Sequence, residues 1–383
     1  MGDSYSAGVG AGSLLDNPRD TAQACLTTTN AYPKYLERGY QALGGNRLEF
    51  LSCTGDKIEN INQVQSHGRP SQLETLSTIT KGSYKFATLS IGGNDLGFSK
   101  IVKTCVVLGP IAGDCEAALL NAERMTGTPR DAAEHRRLLE KLRTVYRNIL
   151  DAAADDFTLV VTGYAQFFAE PSENPDCNDG QMQLAAFSDF GWDSRPSLPL
   201  TETLRRRINS GIVSFNGMLR GVISEVTQDL QREGITKKRI RFFDTDPIYE
   251  GHRFCEKGDR SEDGWPEFTA RSWFFSSALR WDILPDGSSL EPRGDDRDPK
   301  LELTRRGGDS CDDPLYEWDC ALGDLVAADP NMPLNQKEYP QRRTLLDMVS
   351  NSPITRQAVM KAFHPKSIAY DAIAKQIAET FGA

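Results

Sequence analysis

Four short segments hold residue types that can do chemistry together. Gly2-Asp3-Ser4-Tyr5-Ser6-Ala7-Gly8, with Gly10 and Gly12 following, surrounds a serine with small residues that let the backbone turn tightly and expose the hydroxyl. Ser52-Cys53-Thr54-Gly55 ends on a glycine whose N–H can face a cavity. Gly92-Gly93-Asn94-Asp95 lets the chain bend so that the Asn94 amide points back over the end of a strand. Phe363-His364-Pro365 adds an imidazole near the C-terminus. A hydroxyl, an imidazole and N–H donors are the parts of nucleophilic acyl chemistry. Taken singly, each segment is ordinary turn chemistry. Their order and placement carry the reading.

The elements that must position them are legible by period. Leu48–Cys53, Phe86–Ile91, Phe157–Val161 and Ile240–Phe243 are short apolar or alternating runs closed by Gly, Thr or Asp, which suits interior strands of a parallel sheet. Between them, Asp131–Ala153 carries Leu138, Leu142, Val145, Tyr146 and Ile149 at helical spacing, and Leu204–Leu230 carries Ile208, Ile212, Phe215, Leu219, Val222 and Val226. A last helix is predicted with Pro365 in its first turn, carrying Ile368, Ile373, Ile377 and Phe381. Strands alternating with helices give an α/β layer fold, in which ligand sites gather at the C-terminal strand ends. The stretch from about Glu250 to Val349 breaks the pattern and reads as a long irregular insertion within a single domain spanning 1–383. Its Trp273-Phe274-Phe275 and Trp281 are candidates for an acyl pocket or for core packing.

Composition narrows the field. The 383 residues carry a formal net charge of -10 and no apolar run near the roughly 20 residues that cross a bilayer. Nucleic acid is excluded as a partner for want of a basic stripe; Arg205-Arg206-Arg207 lies inside a helical pattern and reads as a solvated face. Eight cysteines, Cys25, Cys53, Cys105, Cys115, Cys177, Cys255, Cys311 and Cys320, form an even set without a CxxC, which points to disulfides and an oxidising compartment. Sequence cannot fix the pairing, but local proximity favours Cys105–Cys115 and Cys311–Cys320, and Cys25–Cys53 and Cys177–Cys255 then remain. Asp176-Cys177-Asn178-Asp179-Gly180 has calcium-like composition without the EF-hand spacing, so an acidic loop is expected and no metal. The chain opens at Met1-Gly2 without the charged and apolar regions of a signal peptide, which is expected to have been removed or to lie upstream of this sequence.

In this order the blocks resemble the SGNH, or GDSL-type, hydrolase superfamily, whose four name-giving residues are matched by Ser4, Gly55, Asn94 and His364. Cys25 with Ala31-Tyr32-Pro33, Phe50-Leu51-Ser52-Cys53 and Gly251-His252-Arg253-Phe254-Cys255 resemble its secreted Streptomyces-esterase-like branch. The resemblance covers nearly the whole chain. It implies a three-layer α/β/α sandwich with a central parallel sheet, and a cofactor-independent serine ester hydrolase. Ser4 would be the nucleophile and His364 its base, with the Ser4 N–H, the Gly55 N–H and the Asn94 amide as oxyanion donors. Acyl lipids or small esters are the first expectation for the substrate, and polysaccharide acetyl esters the second. A non-catalytic carbohydrate- or surface-binding protein on the same scaffold is the rival. A secreted monomer is expected. His67, His135, His252, Ser6 and Ser13 read as structural or loop residues.

Two positions depart from the superfamily pattern. Lys361 stands where an aspartate commonly precedes the histidine by three residues, so the Lys361 main-chain carbonyl is expected to orient His364. The nucleophile of such folds follows a central strand, and the strand before Gly2 is expected to be missing from this chain.

Overall fold

The computed structural model describes residues 1–15, 25–39, 48–65, 69–78, 84–107, 114–127, 132–179, 199–257, 272–275, 282–286, 288–290 and 362–382. Its centre is a parallel sheet of β1 (Phe86–Leu89), β2 (Thr158–Thr162) and β3 (Arg239–Phe243), in that order. β2 lies in the middle, and its Leu159, Val160 and Val161 are wholly buried. That is why its sequence is continuously apolar instead of alternating. In register, Leu89 faces Val161 and Val161 faces Phe242.

Helices cover both faces. Before β1 come α1 (Ser4–Ala7), α2 (Tyr32–Gly39) and α3 (Gln72–Thr78). After it, α4 (Phe98–Ile101) runs into a wider π-type turn over Val102–Val107, followed by α5 (Cys115–Met125) and α6 (Ala133–Ala152). Next are the 31-residue α7 (Glu202–Arg232), then, after β3, α8 (Ser367–Phe381). Each long helix buries one stripe: Leu138, Leu142, Val145 and Ile149 on α6, and Ile208, Ile212, Phe215 and Leu219 on α7. Phe381 of α8 packs on Phe86 and Phe243, and the Tyr32 hydroxyl of α2 donates to Thr88 Oγ1 at 3.0 Å, so α2 and α8 share one face. On the other face, Arg220 of α7 lies over Phe242, and α6 is joined to α7 by Arg143–Asp229 and Arg147–Glu233. Three layers result.

The sheet continues beyond β1 without named strands. Asp3 N–H donates to Ser90 O at 2.8 Å, and Gly2 forms a parallel bridge with Ser90. On the far side of residues 1–3, Cys53 N–H donates to Gly2 O at 2.9 Å. The lateral order is therefore 52–54, 1–3, β1, β2, β3. Winding reverses between residues 1–3 and β1, the position at which open α/β sheets collect their ligands.

Three expectations need correction. Leu48–Cys53 does not form a regular strand: alternation gives a segment two faces without naming a neighbour, and only its end joins the sheet, through Cys53 N–H to Gly2 O and the Cys25–Cys53 disulfide. Pro365 precedes α8 and bridges Phe274, because its neighbours supply the hydrogen bonds through Phe275 N–H to His364 O and Lys366 N–H to Trp273 O. Arg205 is wholly buried, donating to the carbonyls of Leu200, Pro171 and Asn174, while Arg206 and Arg207 do pair with exposed carboxylates. Disulfides join Cys25–Cys53, Cys105–Cys115 and Cys177–Cys255. Cys311, Cys320, Trp281, His67 and most of the 250–349 insertion lie outside the described residues. The described part of that insertion includes a short antiparallel pair, β4 (Asp282–Ile283) and β5 (Ser289–Leu290).

Candidate active site

Gly2 lets the chain pass close beside β1. Its φ is +126°, and a Cβ there would lie 2.0 Å from Ser90 O. The chain then turns into α1, with Asp3 as its N-cap; the Asp3 carboxylate accepts from Tyr5 N–H at 3.1 Å. Ser4 is thereby the first helical residue, just past the sheet's edge.

Across the turn stands His364. Its Nε2 lies 2.8 Å from Ser4 Oγ, and its Nδ1 lies 3.3 Å from the Ala362 carbonyl oxygen. Lys361, expected to supply that carbonyl, lies outside the described residues. Phe363, with φ of +65°, aims its carbonyl at the Tyr5 hydroxyl, which donates to it at 2.7 Å. A non-glycine residue in that region is strained. Here it is held by the segment 272–275: Phe363 N–H donates to Phe275 O, Phe275 N–H to His364 O, and the buried Lys366 Nζ to Ser272 O. Trp273-Phe274-Phe275 therefore serve as a brace behind the histidine. Phe274 and Phe275 are core residues, and none of the three lines the cavity.

Asn94 and Gly55, the expected donors, lie at the same sheet edge. Asn94 Nδ2 donates to Asp56 O at 2.9 Å, using one of its two hydrogens. Gly55 adopts φ of +84° in the left-handed region, next to Asp56, and is not among the residues that line the cavity. Gln72 ties this turn to the Ser4 turn: its amide accepts from Gly2 N–H and donates to Gly2 O and Asp56 Oδ2, all at 2.7–2.8 Å. Among the described residues, neither the Ser4 N–H nor the Gly55 N–H donates a hydrogen bond.

Beneath Ser4 lies a buried polar cluster. Asp3 Oδ2 accepts from the Tyr164 hydroxyl at 2.5 Å and Oδ1 from Ser90 Oγ at 2.8 Å, while Tyr164 Oη accepts from Gly93 N–H at 3.2 Å. Burial pushes the Asp3 carboxyl up to about 6, against the pull of these donors. Asp95, whose carboxylate accepts from Ile58 N–H, is also raised by burial to about 6.

Ser4, Asn94, Tyr164 and His364 open on a cavity whose walls are mainly apolar, including Leu96, Phe98, Ile101, Ile212 and Phe215. Other sequence candidates lie in structural roles. Ser6 is buried and donates to Asp3 O, Ser13 is exposed, His135 contacts the Met125 carbonyl, and His252 stacks on Trp273. Among the described residues, no group of three His, Cys, Asp or Glu side chains could hold a metal, and no helix is long and apolar enough to cross a membrane. Sequence reasoning missed Tyr5, Gln72 and Tyr164 as parts of the site. Tyr164 was within reach, since it follows β2 at the same C-terminal edge; Gln72 left no local signal.

The chain is similar to several known proteins. Residues 1–183 match the GDSL-like lipase/acylhydrolase family. A lipase of Streptomyces rimosus and lipase 1 of Streptomyces coelicolor are 29% and 32% identical over 168 residues, each match covering 44% of this chain. The chain spans about half the length of these curated relatives, at 52%. Two solved structures superpose with a TM-score of 0.47. One is phospholipase A1 from Streptomyces albidoflavus NA297, at 25% identity over 72% of this chain and 84% of that one. The other is the extracellular lipase of Streptomyces rimosus, at 23% identity over 73% and 86%. Over residues 1–183, the chain is similar to the GDSL-like lipase/acylhydrolase family.

Proposed function

We propose that this protein is a secreted carboxylic ester hydrolase that works through an acyl-enzyme on Ser4. The carrying observation is the 2.8 Å approach of His364 Nε2 to Ser4 Oγ at the mouth of an apolar cavity. His364 takes the Ser4 proton as Oγ bonds to the ester carbonyl carbon. The oxyanion so formed is met by the Ser4 and Gly55 N–H groups and by the second hydrogen of the Asn94 amide. When the carbon–oxygen bond to the alcohol breaks, the Nε2 proton passes to the leaving oxygen. Water repeats the cycle from the other side: His364 accepts its proton, hydroxide adds to the acyl carbon, and Ser4 leaves with the proton returned.

The imidazolium of each step needs an acceptor at Nδ1, and the Ala362 main-chain carbonyl fills that role in this reading. Apolar cavity walls favour acyl lipids or small esters over polysaccharide acetyl esters, whose bulk is hydroxylated. The three disulfides among the described residues support an oxidising compartment. The test is a fluorophosphonate probe on the purified protein. Label on the peptide holding Ser4, lost in Ser4→Ala and kept in Ser6→Ala, is expected. Label on another serine would sink the assignment.

A further inference from the structure

The cavity does not end at the catalytic pair. It runs on between α5 and α7, and α7 contributes Arg207, Gly211 and Phe215 to its wall. These three are spaced four residues apart, so they form one stripe along the helix. Phe215 marks the near end, its ring 5.8 Å from the ring of Tyr164. Arg207 marks the far end, where it pairs with Glu116 at 2.5 Å and Glu123 at 2.9 Å on α5. Eight residues of helix separate the two, a distance of roughly 12 Å.

Gly211 lies midway. A Cβ built on it meets no atom within 4 Å. The same holds for Gly217 and Gly221, but those two are exposed, whereas Gly211 lines the cavity. Glycine inside a helix is destabilising relative to alanine. Its presence at this point leaves open a space that any side chain would enter.

We propose that Gly211 is the position that sets acyl-chain length, with the Arg207–Glu116–Glu123 cluster as the end stop of the channel. The ligand is a linear, unbranched acyl chain running from Ser4 past Phe215 and Gly211 toward Arg207. This inference rests on the ester-hydrolase reading and adds the specificity-determining residues to it.

The test is a series of p-nitrophenyl esters from acetyl to palmitoyl. In the parent, kcat/KM is expected to rise about three- to fourfold per methylene while the chain fills the channel, then to level off. Gly211→Leu should move the plateau to shorter chains and lower the dodecanoyl-to-butyryl ratio by at least about tenfold, two or more methylenes of lost burial. Gly211→Ala gives the same shift in smaller measure should the leucine variant fail to fold. Arg207→Ala should move the plateau the other way. Profiles of Gly211→Leu and Gly211→Ala that superimpose on the parent's overturn the proposal. Calorimetric binding of sodium decanoate to the Ser4→Ala protein separates the two readings. If the parent hydrolyses no ester, the hydrolase reading fails. Decanoate binding that Gly211→Leu weakens still supports the channel, and equal binding with and without that substitution overturns it.

Discussion

Ser4 and His364 meet at 2.8 Å but are held by different means. Around Ser4 much of the bonding is local: Ala7 N–H and Ser6 Oγ both donate to Asp3 O, Gly8 N–H to Ser4 O, and Tyr5 N–H to the Asp3 carboxylate. The backbone bonds around His364 come from about 90 residues away, through Phe275 and Trp273. Behind that bridge, Phe274 stacks on Tyr249 at 4.5 Å and meets Phe167 and Phe254. A nucleophile turn that closes on itself can be damaged chemically without unfolding. A histidine loop pinned by a distant segment should lose position and stability together.

The largest expected effect is on the pinned side. Phe274→Ala empties a wholly buried ring site, which typically costs about 3–5 kcal/mol. Chemical denaturation should register that loss, and turnover should fall with it. A stable Phe274→Ala protein with full turnover would show that the brace is dispensable.

At the Ser4 edge of the site, Asn94→Ala should cut kcat about a hundredfold to a thousandfold, equivalent to about 2.7–4 kcal/mol, while unfolding shifts far less. Equal loss of kcat and stability would erase the contrast between the Ser4 edge and the histidine loop.

These differences follow what was legible in the sequence. β2 and the stripes of α6 and α7 were readable because burial on a fixed partner imposes a period. The Ser4 turn was readable because its glycines and cap act over a few residues. Leu48–Cys53 was misread since alternation cannot name a neighbour, and Pro365 because its bridge partner sits in the insertion. Neither Tyr5 nor Gln72 could be assigned without the tertiary closure that gives each its acceptor. The brace at 272–275 was likewise hidden, since aromatic residues there suit a pocket and a core equally well.

Asp3 offers a pH test of the nucleophile side. Its carboxyl, raised to about 6 in the fold, ionises near 3.8 when unfolded. A raised carboxyl contributes stability that is complete below the unfolded value and lost as pH climbs through the folded one. Two pH units correspond to about 3 kcal/mol at most. The parent should therefore lose stability between about pH 4 and 6 from this group, and Asp3→Asn should remove that part of the slope. Denaturation curves across this window for both proteins give the comparison. Parallel pH profiles would mean that Tyr164, Ser90 and the Tyr5 N–H fully offset the burial of the charge.

The smallest effect tests the side-chain bond that runs from the Ser4 turn to the histidine loop. The Tyr5 hydroxyl donates to Phe363 O at 2.7 Å, and its ring lies 5.2 Å from that of His364. Tyr5→Phe keeps the ring and removes the bond. A hydrogen bond of this kind contributes about 0.5–1.5 kcal/mol net. Because Phe363 sits at φ of +65°, part of that energy opposes relaxation of the strained residue beside the base. Loss of the bond lets the loop sample positions in which Nε2 no longer reaches Ser4 Oγ. We expect kcat to fall by up to about tenfold, which corresponds to 1.4 kcal/mol. KM should stay nearly constant, since the cavity walls are untouched. The apparent pKa governing kcat should also move, because a merely structural loss would leave the environment of the imidazole unchanged. A Tyr5→Phe enzyme with the parent's kcat and pH profile would show that the 272–275 brace alone positions His364.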